Sequence, residues 1–197
     1  MNVFIISCSH RKQSQSFKVA KYIEEVLKSQ EHQVYHHDCG MNPLPMWTPE
    51  RIGGEWATWD SVSQELNEAD ALILVTPEWN GMSTPQAKNL FLLVGGSKAI
   101  AHKAGLIVSV SAGRGGAYPI VELRSSSYKN TKINWIPEHL IIREVESLLN
   151  DEIAESKSDQ WIRDRIDFTL AHLSIYSEAL KSIRAQLPED SRFGNGM

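Results

Sequence analysis

Three short stretches of the chain carry side chains and glycines whose uses go beyond packing. The first is Ser7-Cys8-Ser9-His10-Arg11-Lys12-Gln13-Ser14-Gln15-Ser16, with four hydroxyls, an arginine and a lysine. It lies between a β-branched run, Val3 to Ile6, and a stretch where Phe17, Ala20, Ile23, Val26 and Leu27 recur at helical spacing. A strand-to-helix loop of this kind offers free backbone N–H groups and the positive end of a helix dipole. Hydroxyls and cations around that point suit a phosphate monoester, although a solvated loop with Ser16 as helix N-cap uses the same residues. The Gly-x-x-x-x-Gly-Lys pattern of a nucleotide P-loop is absent.

The second stretch is Pro77-Glu78-Trp79-Asn80-Gly81. It follows Ala71 to Val75, an unbroken apolar run that reads as a strand covered on both faces. Pro77 stops the ladder because it has no N–H to donate, and Asn80-Gly81 suits a tight turn with positive φ. The third is Ser111-Ala112-Gly113-Arg114-Gly115-Gly116, between the apolar strand Gly105 to Ser111 and a helical stretch from Tyr118 to Tyr128. Glycine there lets backbone amides come close to a flat ligand, and equally permits a flexible turn with no ligand. In open α/β sheets, ligands bind at the carboxyl ends of the strands, where all three stretches fall.

The remaining elements follow from the same patterns. Gln33 to His37 reads as the second strand, Trp59 to Leu66 as the second helix, and Pro85 to Val94 as the third, stopped by Gly95-Gly96. Ile133 to Ile142 holds a fifth strand broken by Pro137, and Ser158 to Leu187 a long helix with Ser158 as cap. The connection from Asp38 to about Thr58 has three prolines, Gly53 and Gly54, and it brings Trp47 and Trp56 close to Trp59. Such a loop is either a local core or the wall of a flat-ligand pocket or subunit contact, and the second is expected. His36 and His37 point to opposite faces of a strand, which argues against a metal site there. His102, His139 and His172 are isolated and read as packing or surface residues.

A chain of 197 residues with a net charge of −4 lacks the basic surface expected of a nucleic-acid-binding protein. No apolar stretch approaches the ~20 residues of a membrane span. The two cysteines, Cys8 and Cys39, read as free thiols of a reducing, cytoplasmic compartment, with a pairing of the two as the alternative.

Pro77-Glu78-Trp79-Asn80-Gly81, followed by Lys88-Asn89, resembles the signature of the NADPH-dependent FMN reductase family, with Trp79 in place of a tyrosine. Ser9, Arg11, Ser14 and Ser16 fall on that family's phosphate loop, with Cys8 at a glycine position. Ser111, Gly113, Arg114, Gly115 and Gly116, then Leu123-Arg124, resemble its glycine turn and following helix, shortened by one residue. Thr84-Pro85 and Leu92-Leu93 depart from the family pattern.

The resemblance covers about residues 1–145. It implies a flavodoxin-like, doubly wound, five-stranded parallel sheet in the order 2-1-3-4-5, with residues 1–187 as a single FMN-binding domain and 188–197 as a polar tail. It further implies FMN with its phosphate on Ser9, Arg11, Ser14 and Ser16, and its ring on Pro77, Glu78, Trp79, Asn80, Gly81 and the Ser111–Gly116 turn. Hydride from NADPH or NADH would pass through FMN to a small-molecule acceptor such as a quinone, azo compound or free flavin. Homodimers or homotetramers are common among such relatives. A flavodoxin-type electron carrier, or a module that has lost FMN, would use the same fold.

Overall fold

The computed structural model describes residues 1–51, 56–95, 97–188 and 190–194. Gly53 and Gly54 of the long connection, and Gly96 of the helix stop, lie outside the described residues. The buried runs form β1 (Asn2–Ser7), β3 (Ala71–Pro77) and β4 (Ala104–Val110), and Gln33–Asp38 forms β2. Between them run α1 (Gln15–Ser29), α2 (Trp56–Glu68) and α3 (Pro85–Leu93). After β4 come α4 (Ala117–Ser126), the single turn α5 (Tyr128–Thr131), β5 (Asn134–Trp135), β6 (Leu140–Ile142) and α6 (Lys157–Arg184).

Every strand pairing is parallel, in the order β2-β1-β3-β4-β5, with β6 also pairing β4. This is the flavodoxin-like order expected from the sequence. The fifth position holds two short strands instead of one: β5 and β6 pair with different halves of β4, and Pro137 lies between them. Proline has no N–H to continue the ladder, and the Arg124 guanidinium braces the break by donating to the Ile136, Pro137 and Glu138 carbonyls.

All seven residues of β3 and of β4 are buried. Alternate β3 residues serve opposite cores. Ala71, Ile73 and Val75 pack toward α1 and α6, while Leu72 and Leu74 pack toward α2, α3 and α4. Each fully buried Leu, Ile or Val contributes about 1.5–3 kcal/mol, so two cores sharing one central strand hold its position firmly.

Local differences from the sequence reading have plain causes. Helix α2 starts at Trp56 and places Trp56 and Trp59, 8% and 7% exposed, in the core. They are therefore a local core and do not wall a pocket; Trp47 alone of the three is exposed, at 45%. Helix α6 is capped by Ser156, whose hydroxyl accepts from the Asp159 amide, so Ser158 sits inside the first turn. Cys8 and Cys39 are free and buried, and burial, with Cys39 as neighbour, pushes the Cys8 thiol well up. No helix among the described residues is long and apolar enough to cross a membrane.

Lys103 is buried just before β4, its ammonium donating to the Leu66 and Asn67 carbonyls at the end of α2. Burial, then the Arg184 charge, lowers its pKa to about 8 from an ordinary 10.5. The unfolded chain therefore binds more protons between those values, and stability from this group rises as pH climbs through that window. Denaturant unfolding from pH 8 to 10 is expected to shift in favour of wild type relative to Lys103→Met; a constant difference would contradict the assignment.

Candidate cofactor site

The parallel register delivers the three chemical stretches to one edge of the sheet. Ser7 is level with Val75, and Pro77 with Val110. Just past those ends, the Cys8 amide donates to Val75 O at 2.8 Å and the Glu78 amide to Val110 O at 2.9 Å. The loops after β1, β3 and β4 are thus stitched at their bases before they diverge.

In the first loop Ser14 is the N-cap of α1, its hydroxyl accepting from the Phe17 amide at 3.0 Å. The cap expected as an alternative at Ser16 is therefore one residue pair upstream. Ser9 is buried and its hydroxyl accepts from the Arg11 amide at 3.2 Å. Both hydroxyls spend a lone pair on the loop and keep an O–H to donate. Ser16 is 1% exposed, and its Oγ has no hydrogen-bond partner in the protein. A buried polar atom left unpaired costs about 1–3 kcal/mol, and this one lies in the first turn of a helix, where unpaired amides already favour an anion. Across the loop, Gly40 packs against the backbone of Arg11 so closely that a Cβ would lie 2.4 Å from its carbonyl oxygen.

In the second loop Trp79 and Met82 exchange both backbone hydrogen bonds, at 3.0 Å each, around Asn80 and Gly81. These two have φ of 50° and 73°, the double positive value of a type I′ turn. The tight turn expected from Asn-Gly is present. It presents Trp79 toward the first loop, where the Arg11 guanidinium lies 5.4 Å from the ring centroid and the His10 ring 5.7 Å away. Thr84 caps α3 and also donates to the Cys8 carbonyl at 2.6 Å, joining the two loops from beneath.

Lys88 and Asn89, part of the family-like pattern, are spent on the scaffold. Lys88 pairs with Glu122 of α4 at 3.1 Å. Asn89, buried, accepts from the Trp47 amide and donates to the Pro45 carbonyl, both at 2.8 Å.

In the third loop the Ser111 hydroxyl accepts from the Gly113 amide at 3.3 Å. Gly113 faces open space, with no atom within 4 Å of where a Cβ would be, and Gly81 is equally open. Gly115 and Gly116 are crowded instead. A Cβ on Gly115 would lie 2.7 Å from Glu78 Oε1, and one on Gly116 2.5 Å from Ile141. Gly116 also has φ of +100°. The Arg114 side chain is 92% exposed and lies 3.7 Å from the Glu144 carboxylate.

The fourteen positions marked from the sequence therefore fall at one edge, on three loops or, for Ser16 and Pro77, on the adjoining ends of α1 and β3. Their atoms suit FMN: an orphaned serine hydroxyl and two with an O–H free to donate for a phosphate, and open glycine backbone for a ring rim. Pro77 is the exception in role, buried as the last residue of β3. Sequence reading missed Thr84 and Arg143, the latter donating from Nε to the Gly115 carbonyl at 2.9 Å. Thr84 ahead of Pro85 carried a capping signal, whereas nothing local marks Arg143. A hollow of about 540 Å³ lined by Lys98, His102, Lys132 and Arg184 lies near the start of β4, at the opposite edge from these loops.

The family model described as NADPH-dependent FMN reductase matches residues 1–146. The chain belongs to that family. Members are oxidoreductases that use FMN and NAD(P)H. The chain is 24% identical over 183 residues to the NADPH azoreductase of Bacillus sp. (strain OY1-2), covering 93% of this chain and 98% of that protein. Its fold is similar to that of the flavoenzyme NAD(P)H:(acceptor) oxidoreductase FerB from Paracoccus denitrificans, with a TM-score of 0.70 at 17% identity, over 92% of this chain and 97% of the other. A flavodoxin from the domain Archaea shares it at a TM-score of 0.55 and 14% identity, over 92% and 99% of the two chains.

The two crowded glycines and the open one predict opposite outcomes. Gly116→Ala is expected to cost about 2 kcal/mol in denaturant unfolding, from the left-handed backbone alone, before any shift of Ile141. Gly113→Ala should leave the stability of the cofactor-free protein nearly unchanged. Equal effects would contradict the geometry.

Proposed function

We propose that the chain takes hydride from NADPH or NADH and passes the electrons to a small-molecule acceptor such as a quinone, an azo compound or free flavin. The observation that carries this reading is that the loops after β1, β3 and β4 leave the same edge of the sheet, with an unpaired Ser16 hydroxyl at the start of α1 and open backbone at Gly113. Bound FMN would supply the redox chemistry, as the group that both accepts and donates hydride.

The protein's part is to bind, orient and exclude. Ser9, Ser14 and Ser16 would donate hydroxyl hydrogens to the phosphate at the start of α1, with the Arg11 charge beside them. Trp79, Asn80 and Gly81 would border the ring on one side, and Ser111, Gly113, Arg114, Gly115 and Gly116 would border it on the other. Trp79 limits access to one face, and exposed Arg114 is placed to meet a phosphate of the nicotinamide dinucleotide. In this reading residues 1–187 act as one FMN-binding domain with 188–197 as a tail, and the protein works in the cytoplasm as a homodimer or homotetramer. Exposed Trp47, Met46 and Leu92 support the oligomer, since large apolar side chains at a surface mark contact faces.

The direct test is to load the purified protein with FMN, record its flavin absorbance, and follow NADPH oxidation with quinone, azo dye or free FMN. Bound flavin and turnover are expected. A protein that cannot be loaded overturns the reading. Flavin without nucleotide turnover, but with reduction by a partner protein, would favour an electron carrier. Arg11→Ala is expected to weaken FMN binding by roughly ten- to a hundredfold, the worth of a hydrogen bond to a charged group, and a titration measures it.

A further inference from the structure

We propose that Glu78 is a positioning residue: its carboxylate locks the glycine turn and α4 to the Pro77–Gly81 turn. The two loops meet a ligand as one rigid wall. The proposal rests on the FMN reading only for its effect on affinity.

Helix α4 has no cap of its own. Its N-cap position is Gly116, which has no side chain to offer. Two amides at its start are satisfied from another loop, Glu78 Oε2 accepting from Gly116 N at 2.7 Å and from Tyr118 N at 3.2 Å. An anionic acceptor at a helix N-terminus is favoured by both hydrogen bonding and the dipole. The other oxygen, Oε1, fills the space beside Gly115 where a Cβ would stand at 2.7 Å. Glycine at 115 thus makes room for the carboxylate.

The arrangement is fixed from both sides. The Glu78 amide is tied to Val110 O at the end of β4, and Arg143 Nε holds the Gly115 carbonyl. Two consequences follow. Glu78 Oε2 is committed to backbone amides, which assigns the residue a positioning part despite its place in the motif. Its charge also occupies the anion seat of α4, so a substrate phosphate near this turn has to use the exposed Arg114 instead.

The test is hydrogen–deuterium exchange on FMN-free wild type, Glu78→Ala and Glu78→Gln, with and without sodium acetate as a free carboxylate. In Glu78→Ala the amides of residues 113–118 are expected to exchange at least tenfold faster, with β4 unchanged and acetate restoring part of the protection. Glu78→Gln, which keeps an acceptor oxygen without the charge, is expected to fall between. FMN should bind Glu78→Ala about tenfold more weakly. Unchanged exchange, faster exchange that acetate leaves untouched, faster exchange throughout β4, or unaltered FMN affinity would overturn the proposal. If wild type takes no FMN at all, the cofactor reading fails, while a local, acetate-reversible rise in exchange still establishes the lock.

Discussion

Everything at the candidate site hangs on the parallel register of three neighbouring strands. Because β1, β3 and β4 run side by side and end within about two residues of each other, the loops that follow have no choice of edge. A one-residue slip of β3 would exchange Ile73 and Leu74 between the two cores and turn every other side chain on the strand to the wrong face. The register is therefore held by burial on both faces, and the site inherits its precision from the core. The bonds from Cys8 to Val75 and from Glu78 to Val110 extend the ladder just far enough to fix the loop bases.

Above those bases the loops hold one another. Thr84 reaches the Cys8 carbonyl, Trp79 packs under Arg11 and His10, Glu78 caps α4, and Arg143 grips Gly115. Arg11, Trp79 and Gly115 thus take part in the scaffold as well as standing among the candidate ligand residues. Groups outside this network that suit a ligand are the Ser16 hydroxyl, the O–H of Ser9 and Ser14, and the open glycine backbone at 81 and 113. Ser16 Oγ is one of several buried polar atoms without a protein partner, and with Gln15 Oε1 it lies in the first turn of α1.

The buried strands were readable in the sequence because unbroken apolar runs such as Ala71 to Val75 have few other uses, and their order followed from the family resemblance. The turn at Asn80-Gly81 was readable because two consecutive positive φ values demand those residue types. What the sequence hid depends on contacts distant along the chain. Glu78 meets Gly116 across 38 residues, and Asn89 meets Pro45 across 44. A motif shows such residues as important without showing what they touch. Capping was half legible: serines were plain at 14, 16, 156 and 158, but only backbone geometry chose Ser14 and Ser156. Trp56 and Trp59 misled because three tryptophans near a long loop suggest a contact face, whereas α2 begins early enough to turn two of them inward. Pro137 pointed to a break, and the two halves it leaves still both find β4.

Family membership and geometry bear on different parts of the assignment. The family fixes the class of chemistry, an FMN-using oxidoreductase. The structure brings the motif residues to one edge of the sheet, while the hollow near Lys98, His102, Lys132 and Arg184 shares no loop with them. The most direct measurement of convergence is an amide chemical-shift map of the isotopically labelled protein as FMN is added. Simultaneous shifts in residues 9–16, 78–81 and 111–116, saturating at one affinity, are predicted. Shifts confined to one of these loops, or gathered around Lys98, His102 and Lys132, would contradict a shared site.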